Sequence, residues 1–334
     1  MPTLESATRD AGGYRVHVRT GGDGDPIILV HGLGVSGRYF ESLGRELARS
    51  FRVSIPDLPG WRTSGRPDHA LTLDELADVL ADLAARETRA PVFVANSFGC
   101  QVVLALAARR PQTVRGLVLI GPTVDPAYRG WLRHAVRLLV GATRERSGLF
   151  PIVLQDYLLM GPRRMLATAR VALTDTPERR LPTIDAPILV VRGEHDALTT
   201  VEWARRCADL APRGEFVEIT GAAHAAHVSH PERIAELVDS LLAERDDQVG
   251  EVVGRVDHRD VPGSWDDHEP CIDERITPDR PQDRRDDAIA LAPNEQRGSD
   301  DAGEIGADVG AGNVPPAPYD VSRPGPECVG RQPG

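Results

Sequence analysis

One stretch constrains this chain more than any other: Pro91-Val92-Phe93-Val94-Ala95-Asn96-Ser97-Phe98-Gly99-Cys100. A short apolar run stops at a serine set among small residues, and helix-forming sequence follows at once, which predicts a strand, a tight turn and a helix. Strand and helix backbones nearly touch at such a turn, so small residues are needed two positions either side of the serine. Gly99 meets that need fully and Ala95 in part. A serine hydroxyl is a poor nucleophile near neutral pH. It becomes useful when a sharp turn exposes it, a base stands beside it and donors face the developing oxyanion. A serine ahead of a helix also reads simply as an N-cap, so the rest of the chain has to decide between the two.

The surrounding pattern is that of a parallel sheet. Pro26-Ile27-Ile28-Leu29-Val30 is a continuous apolar run, as suits a strand covered on both faces, and it leads straight into His31-Gly32-Leu33-Gly34. A loop with two glycines after a buried strand can turn backbone N–H groups into a cleft; it can equally be an ordinary glycine turn. Further strands are expected over Tyr14–Arg19, Phe51–Ile55, Val114–Ile120, Pro187–Gly193 and Glu215–Ile219. Helical spacing covers Arg38–Ser50, Phe98–Arg110, Val201–Leu210 and Pro231–Glu244, and a capping box of Thr72 and Glu75 starts another helix. Strand and helix alternate through 1–124 and again through 186–245, which predicts an α/β core with a mostly parallel sheet and helices on both faces.

The alternation lapses over 125–185, where helical patterns rich in arginine occur without a convincing strand. This segment reads as a helical lid inserted over the carboxyl edge of the sheet. Arg129, Arg133 and Arg137 share one helix face there, either solvated or anion-binding. Residues 246–334 hold 21 Asp and Glu against 9 Arg, and the whole chain 50 against 39, so 1–245 carries 29 acidic and 30 basic residues. The formal charge of −11 therefore belongs to the tail and implies no partner for the remainder. That tail is polar, rich in Pro and Gly and without periodicity, so it is expected to be disordered.

All 39 basic residues are arginine, which rules out chemistry through a lysine Schiff base. Cys100, Cys207, Cys271 and Cys328 contain no CxxC pair and suggest neither a disulfide framework nor a zinc site. The first ten residues lack a secretory pattern and no apolar segment is long enough to span a bilayer, so a cytoplasmic protein is expected, with neither membrane nor nucleic acid as partner.

Four loops that follow buried strands now carry the chemistry: His31 to Gly34, Ser97, Asp196 and His224. Carboxyl ends of parallel strands share one edge, so these distant residues converge there. With HGLG at 31–34, DLPG at 57–60, ANSFG at 95–99, RGEHD at 192–196 and GAAHAAH at 221–227, the chain resembles the α/β-hydrolase superfamily over about residues 13–245. The resemblance implies a serine-type triad: Ser97 as nucleophile, His224 as general base and Asp196 as the acid that orients the imidazole. It implies oxyanion donation by the backbone N–H groups of Leu33 and Phe98, supported by His31, Gly32, Gly34 and Gly99. The serine at the elbow argues against the dehalogenases and epoxide hydrolases of the superfamily, which carry aspartate there. Two departures stand out, Ala95 for the usual glycine and Trp61-Arg62-Thr63-Ser64 for the usual His-Gly-x-Ser after DLPG.

Each role has a rival. Asp125 follows a strand and could serve as the acid, His227 and His230 stand near His224 and could form a metal cluster or buttress the pocket, and Cys100 reads as a small packed side chain. The expected activity is hydrolysis of an ester or related acyl bond in a small to medium substrate, without metal or organic cofactor. The Asn-Ser-Phe-Gly elbow and the lid also resemble hydrolases that cleave carbon–carbon bonds in ring-fission dienoate acids. A binding or lyase member of the fold is the remaining alternative.

Overall fold

The computed structural model describes residues 2–126, 130, 137 and 150–254. The apolar runs become the strands β1 (Glu5–Ala11), β2 (Tyr14–Gly21), β3 (Pro26–Val30), β4 (Arg52–Pro56), β5 (Val92–Asn96), β6 (Gly116–Ile120), β7 (Ile188–Gly193) and β8 (Gly214–Ile219). They form one sheet in the order β1-β2-β4-β3-β5-β6-β7-β8. β1 and β2 make an antiparallel hairpin and β2 pairs antiparallel with β4; every pair from β4 to β8 is parallel.

Successive residues of one strand enter different cores. Ile28, Val30, Phe93, Ala95, Leu117 and Leu119 face one cluster, while Ile27, Leu29, Val92, Val94, Val118 and Ile120 face the other. The two-residue period of a strand sends alternate side chains to opposite faces, so a strand covered on both sides must be apolar throughout. The helices are α1 (Glu41–Leu47), α2 (Leu73–Ala84), α3 (Phe98–Arg109), α4 (Phe150–Met160), α5 (Pro162–Thr174), α6 (Pro177–Arg180), α7 (Val201–Leu210), α8 (Ala226–Ser229) and α9 (Pro231–Gly254). Residues of α2, α3 and α7 fill the first core and those of α1 and α9 the second. The Thr72 capping box at the start of α2 forms as expected: Glu75 N–H donates to Thr72 Oγ1 at 3.2 Å and Thr72 N–H to Glu75 Oε2 at 2.8 Å.

Three differences from the sequence expectations concern edges. Strand β1 has no apolar period to announce it, because six of its seven side chains lie outside the core and backbone pairing to β2 holds it. The helix expected over 38–50 begins as a 3-10 turn at Gly37–Phe40 before α1. Helix α9 continues to Gly254, so the boundary expected at 246 falls inside a helix. The tail from 255 onward, together with Arg129, Arg133, Arg144 and Arg146 of the insertion, lies outside the described residues. No helix among the described residues is long and apolar enough to cross a membrane.

Strand order turns back at β3. The connection through α1 leads to β4 on one side, whereas β5 pairs on the other side and the chain proceeds from there to β8. Adjacent carboxyl ends of β3 and β5 therefore open a crevice, the place where ligands meet a sheet of this kind.

Candidate active site

The expected strand–turn–helix forms at that crevice. Ser97 joins β5 to α3 with φ 55° and ψ −118°, a conformation that costs a non-glycine residue about 1–3 kcal/mol. The turn is pinned on both sides: Ser97 N–H donates to Ile120 O at 3.0 Å and Cys100 N–H to Ser97 O at 3.0 Å. Gly99 lets α3 approach β3, since a Cβ there would stand 2.5 Å from Val30 O and 2.8 Å from His31 O. Ala95 is fully buried, and its methyl group is accommodated within the first core.

The loop after β3 lies directly against this turn. A side chain at Gly32 would come within 3.2 Å of Ser97 Cβ. His31 is fully buried and bridges two loops: Leu58 N–H donates to its Nε2 at 3.0 Å, so Nδ1 carries the hydrogen and donates to Gly32 O at 2.9 Å. Burial holds its pKa below the ordinary histidine value, in keeping with that neutral tautomer. The Gly32 carbonyl and the Leu33 N–H belong to one planar peptide unit, so fixing the oxygen also fixes the direction of the N–H. The Trp61 ring stands between the two arms, edge-on to His31 at 5.4 Å and stacked on Phe98 at 6.3 Å.

Asp196 and His224, which are 28 positions apart, meet at the ends of β7 and β8, with His224 Nδ1 2.8 Å from Asp196 Oδ2. The other carboxylate oxygen accepts from Leu198 N–H at 2.8 Å and Thr199 N–H at 3.0 Å. Burial alone would raise the Asp196 pKa, but the charge and N–H of His224 and the two amides overcome it and hold the carboxyl below the usual range. An ionised Asp196 then selects the tautomer with hydrogen on His224 Nδ1 and the lone pair on Nε2. The Arg192 guanidinium braces the acid's loop by donating to the carbonyls of Thr199 (2.8 Å), Asp196 (3.2 Å) and Glu194 (3.3 Å).

Asn96 links this pair to the serine turn. Its Nδ2 donates to Ile120 O at 3.1 Å and to His224 O at 3.2 Å, tying the residue before Ser97 to the backbone of the histidine. Gly121 was not anticipated as part of the site. It has φ +56°, and a Cβ there would stand 2.8 Å from His224 Nδ1 and 3.0 Å from Asp196 Oδ2. Its only sequence signal is that it closes a strand.

The rival residues have other partners. Asp125 Oδ2 accepts from Thr200 Oγ1 at 3.0 Å. His227 stacks on Phe40 at 4.1 Å and meets Tyr39 edge-on at 4.7 Å; neither of its ring nitrogens has a hydrogen-bond partner among the described residues. No group of three His, Cys, Asp or Glu that could hold a metal ion occurs among them. Cys100 is buried with its thiol pKa pushed up, and its Sγ donates to Ala95 O at 3.4 Å, so it packs as expected. Three residues of the unusual run after DLPG are engaged by polar contacts. Arg62 pairs with Asp156 at 3.2 Å, Thr63 Oγ1 donates to Asp57 Oδ2 at 3.0 Å, and Ser64 Oγ donates to Asp57 O.

Comparison with known proteins places the chain in a family. The alpha/beta hydrolase family matches residues 27–237, well over half of the sequence. The chain belongs to that family. The hydrolase is 27% identical over 271 residues to 2-hydroxymuconate semialdehyde hydrolase from Pseudomonas sp. strain CF600, covering 71% of this chain and 93% of the relative. It is 25% identical over 256 residues to pimeloyl-[acyl-carrier protein] methyl ester esterase from Nitrosomonas europaea, covering 68% of this chain and 99% of the relative. Among solved structures it is similar to a serine hydrolase involved in carbazole degradation, with a TM-score of 0.61, 25% identity and coverage of 72% of this chain and 99% of the other.

Proposed function

We propose that this hydrolase cleaves an ester or related acyl bond of a small to medium substrate through Ser97, His224 and Asp196. The observation that carries the reading is the buried 2.8 Å pair of His224 and Asp196, tied through Asn96 to the strained turn of Ser97. Ser97 Oγ attacks the carbonyl carbon while His224 Nε2 takes its proton. The N–H groups of Leu33 and Phe98 receive the oxyanion, and the imidazolium returns the proton to the leaving group. Water then repeats the sequence on the acyl-enzyme and frees the acid. Asp196 stays ionised throughout and stabilises the imidazolium. The insertion over 125–185 serves as the lid of the substrate pocket, and the reaction draws on no metal or organic cofactor.

A carbon–carbon bond hydrolase acting on a ring-fission dienoate acid is the second reading, and the similarity to 2-hydroxymuconate semialdehyde hydrolase keeps it in play. Against it stands the fate of the arginines in the insertion. Arg137 donates to Leu198 O at 3.3 Å, Arg164 donates to Pro67 O and His69 O, Arg180 pairs with Asp175, and Arg163, Arg170 and Arg179 are exposed. Among the described residues the insertion thus commits its inward-reaching arginines to the protein itself, which leaves the ester reading ahead. A graded panel of p-nitrophenyl esters set beside a vinylogous diketoacid separates the two. Ser97→Ala should lower ester turnover on the order of 10⁶-fold with the fold intact. Turnover persisting in a pure preparation of that variant would refute the triad.

A further inference from the structure

The insertion reaches the arm that carries Leu33 through two consecutive residues of α4. Asp156 is 4% exposed, and both of its oxygens are used. Oδ2 accepts from Ser36 N–H at 2.9 Å and from Ser36 Oγ at 2.6 Å, and Oδ1 accepts from Arg62 at 3.2 Å. The next residue, Tyr157, lies against Gly34, where a Cβ would stand 2.2 Å from its ring; Met165 of α5 closes the same spot at 2.6 Å. Gly34 has φ +78°, a turn that a glycine makes readily and could as readily leave.

The segment after Leu33 is therefore gripped from opposite sides. Asp57 Oδ1, buried just past the end of β4, accepts from Gly37 N–H at 2.8 Å, while Asp156, from the insertion, accepts from the residue before it. A buried carboxylate is costly unless every lone pair finds a donor, and here the donors come from the arm after β3 and from the loop after β4. Such a carboxylate tolerates one arrangement of its partners and so transmits the position of α4 to the arm.

We propose that Asp156 is a positioning residue for the oxyanion arm: the arm holds Leu33 in its working direction only while α4 is docked on Ser36 and Arg62. The proposal rests on the serine-triad reading and goes beyond it by giving the insertion a part in the chemistry. Removing Asp156 frees Ser36 and lets the arm relax about Gly34, which weakens binding of the developing oxyanion more than binding of the substrate.

The test uses the full chain and a fluorophosphonate, whose phosphoryl oxygen needs the same donors. Labelling of wild-type Ser97 is the first arm, and its absence would overturn the triad and this proposal together. With labelling established, active sites are titrated so that any loss of folded protein is removed from the comparison. Asp156→Ala should then lower both kcat per titrated site and the phosphonylation rate constant by roughly 10- to 100-fold, with KM within about twofold. Asp156→Asn keeps an oxygen for Ser36 but turns a donor NH2 toward Arg62, so it should recover only part of the loss. Ser36→Ala deletes one hydroxyl and carries the test if Asp156→Ala does not fold; it should lower both constants several-fold. Wild-type rates per titrated site in these variants, with only the melting temperature reduced, would show that Asp156 is structural and overturn the proposal while leaving the triad standing.

Discussion

His227 provides a quantitative test of the packing around the site. Its ring is fully buried between Phe40 and Tyr39, with no hydrogen bond on either nitrogen among the described residues. Burial first, and the charge of His224 second, push its pKa from 6.5 down to about 3. In the unfolded chain the same imidazole takes a proton near pH 6.5. Between those values the unfolded state binds the extra proton, so the contribution of His227 to stability is complete above pH 6.5 and is lost as pH falls toward 3. At pH 7 the cost is only a few tenths of a kcal/mol; at pH 5 it reaches about 2 kcal/mol, since the unfolded imidazole is then almost fully charged. That figure depends only on the folded pKa lying well below 5. His227→Phe keeps an aromatic ring against Phe40 and removes the titration. Urea denaturation of both proteins at pH 7 and pH 5 should show the wild type losing about 2 kcal/mol more than the variant over that interval. Titrating groups that do not interact with His227 cancel in the difference. Equal losses in the two proteins would mean that His227 can be charged in the folded state, and the sealed aromatic sandwich would be wrong.

Two further predictions follow from single contacts. Gly121→Ala places a methyl group against the imidazole and carboxylate and forces φ +56° on an L-residue, so ester turnover should fall about 100-fold; unchanged turnover would show that the pair has room to move. Thr72→Ala removes the capping box of α2 and should lower stability by about 1 kcal/mol in denaturant titration without altering turnover per titrated site.

Comparing expectation with structure, the readable parts were those in which a local rule and the global fold coincide. The runs that became β3, β5, β6 and β7 are apolar at every position because both faces are covered, and small residues around Ser97 announce close backbone approach. Strand β1 was missed because backbone pairing at a sheet edge leaves no trace in side-chain type. Asp156 looked like one more polar residue of a helical insertion, and its role depends on Ser36, 120 positions earlier. Of the Arg129, Arg133 and Arg137 stripe, Arg137 alone is among the described residues, and it donates to Leu198 O at 3.3 Å.

The sequence by itself determined the class of fold and nominated the serine, the acid and the histidine in their order, because hydrophobic periodicity and turn chemistry are written within a few neighbouring residues. Only the tertiary structure decided that Asp196 rather than Asp125 pairs with His224, that Gly121 must stay bare and that the insertion grips the arm beside Leu33. Those outcomes depend on distances between segments far apart in the chain, which exist only once the sheet has brought its strand ends together.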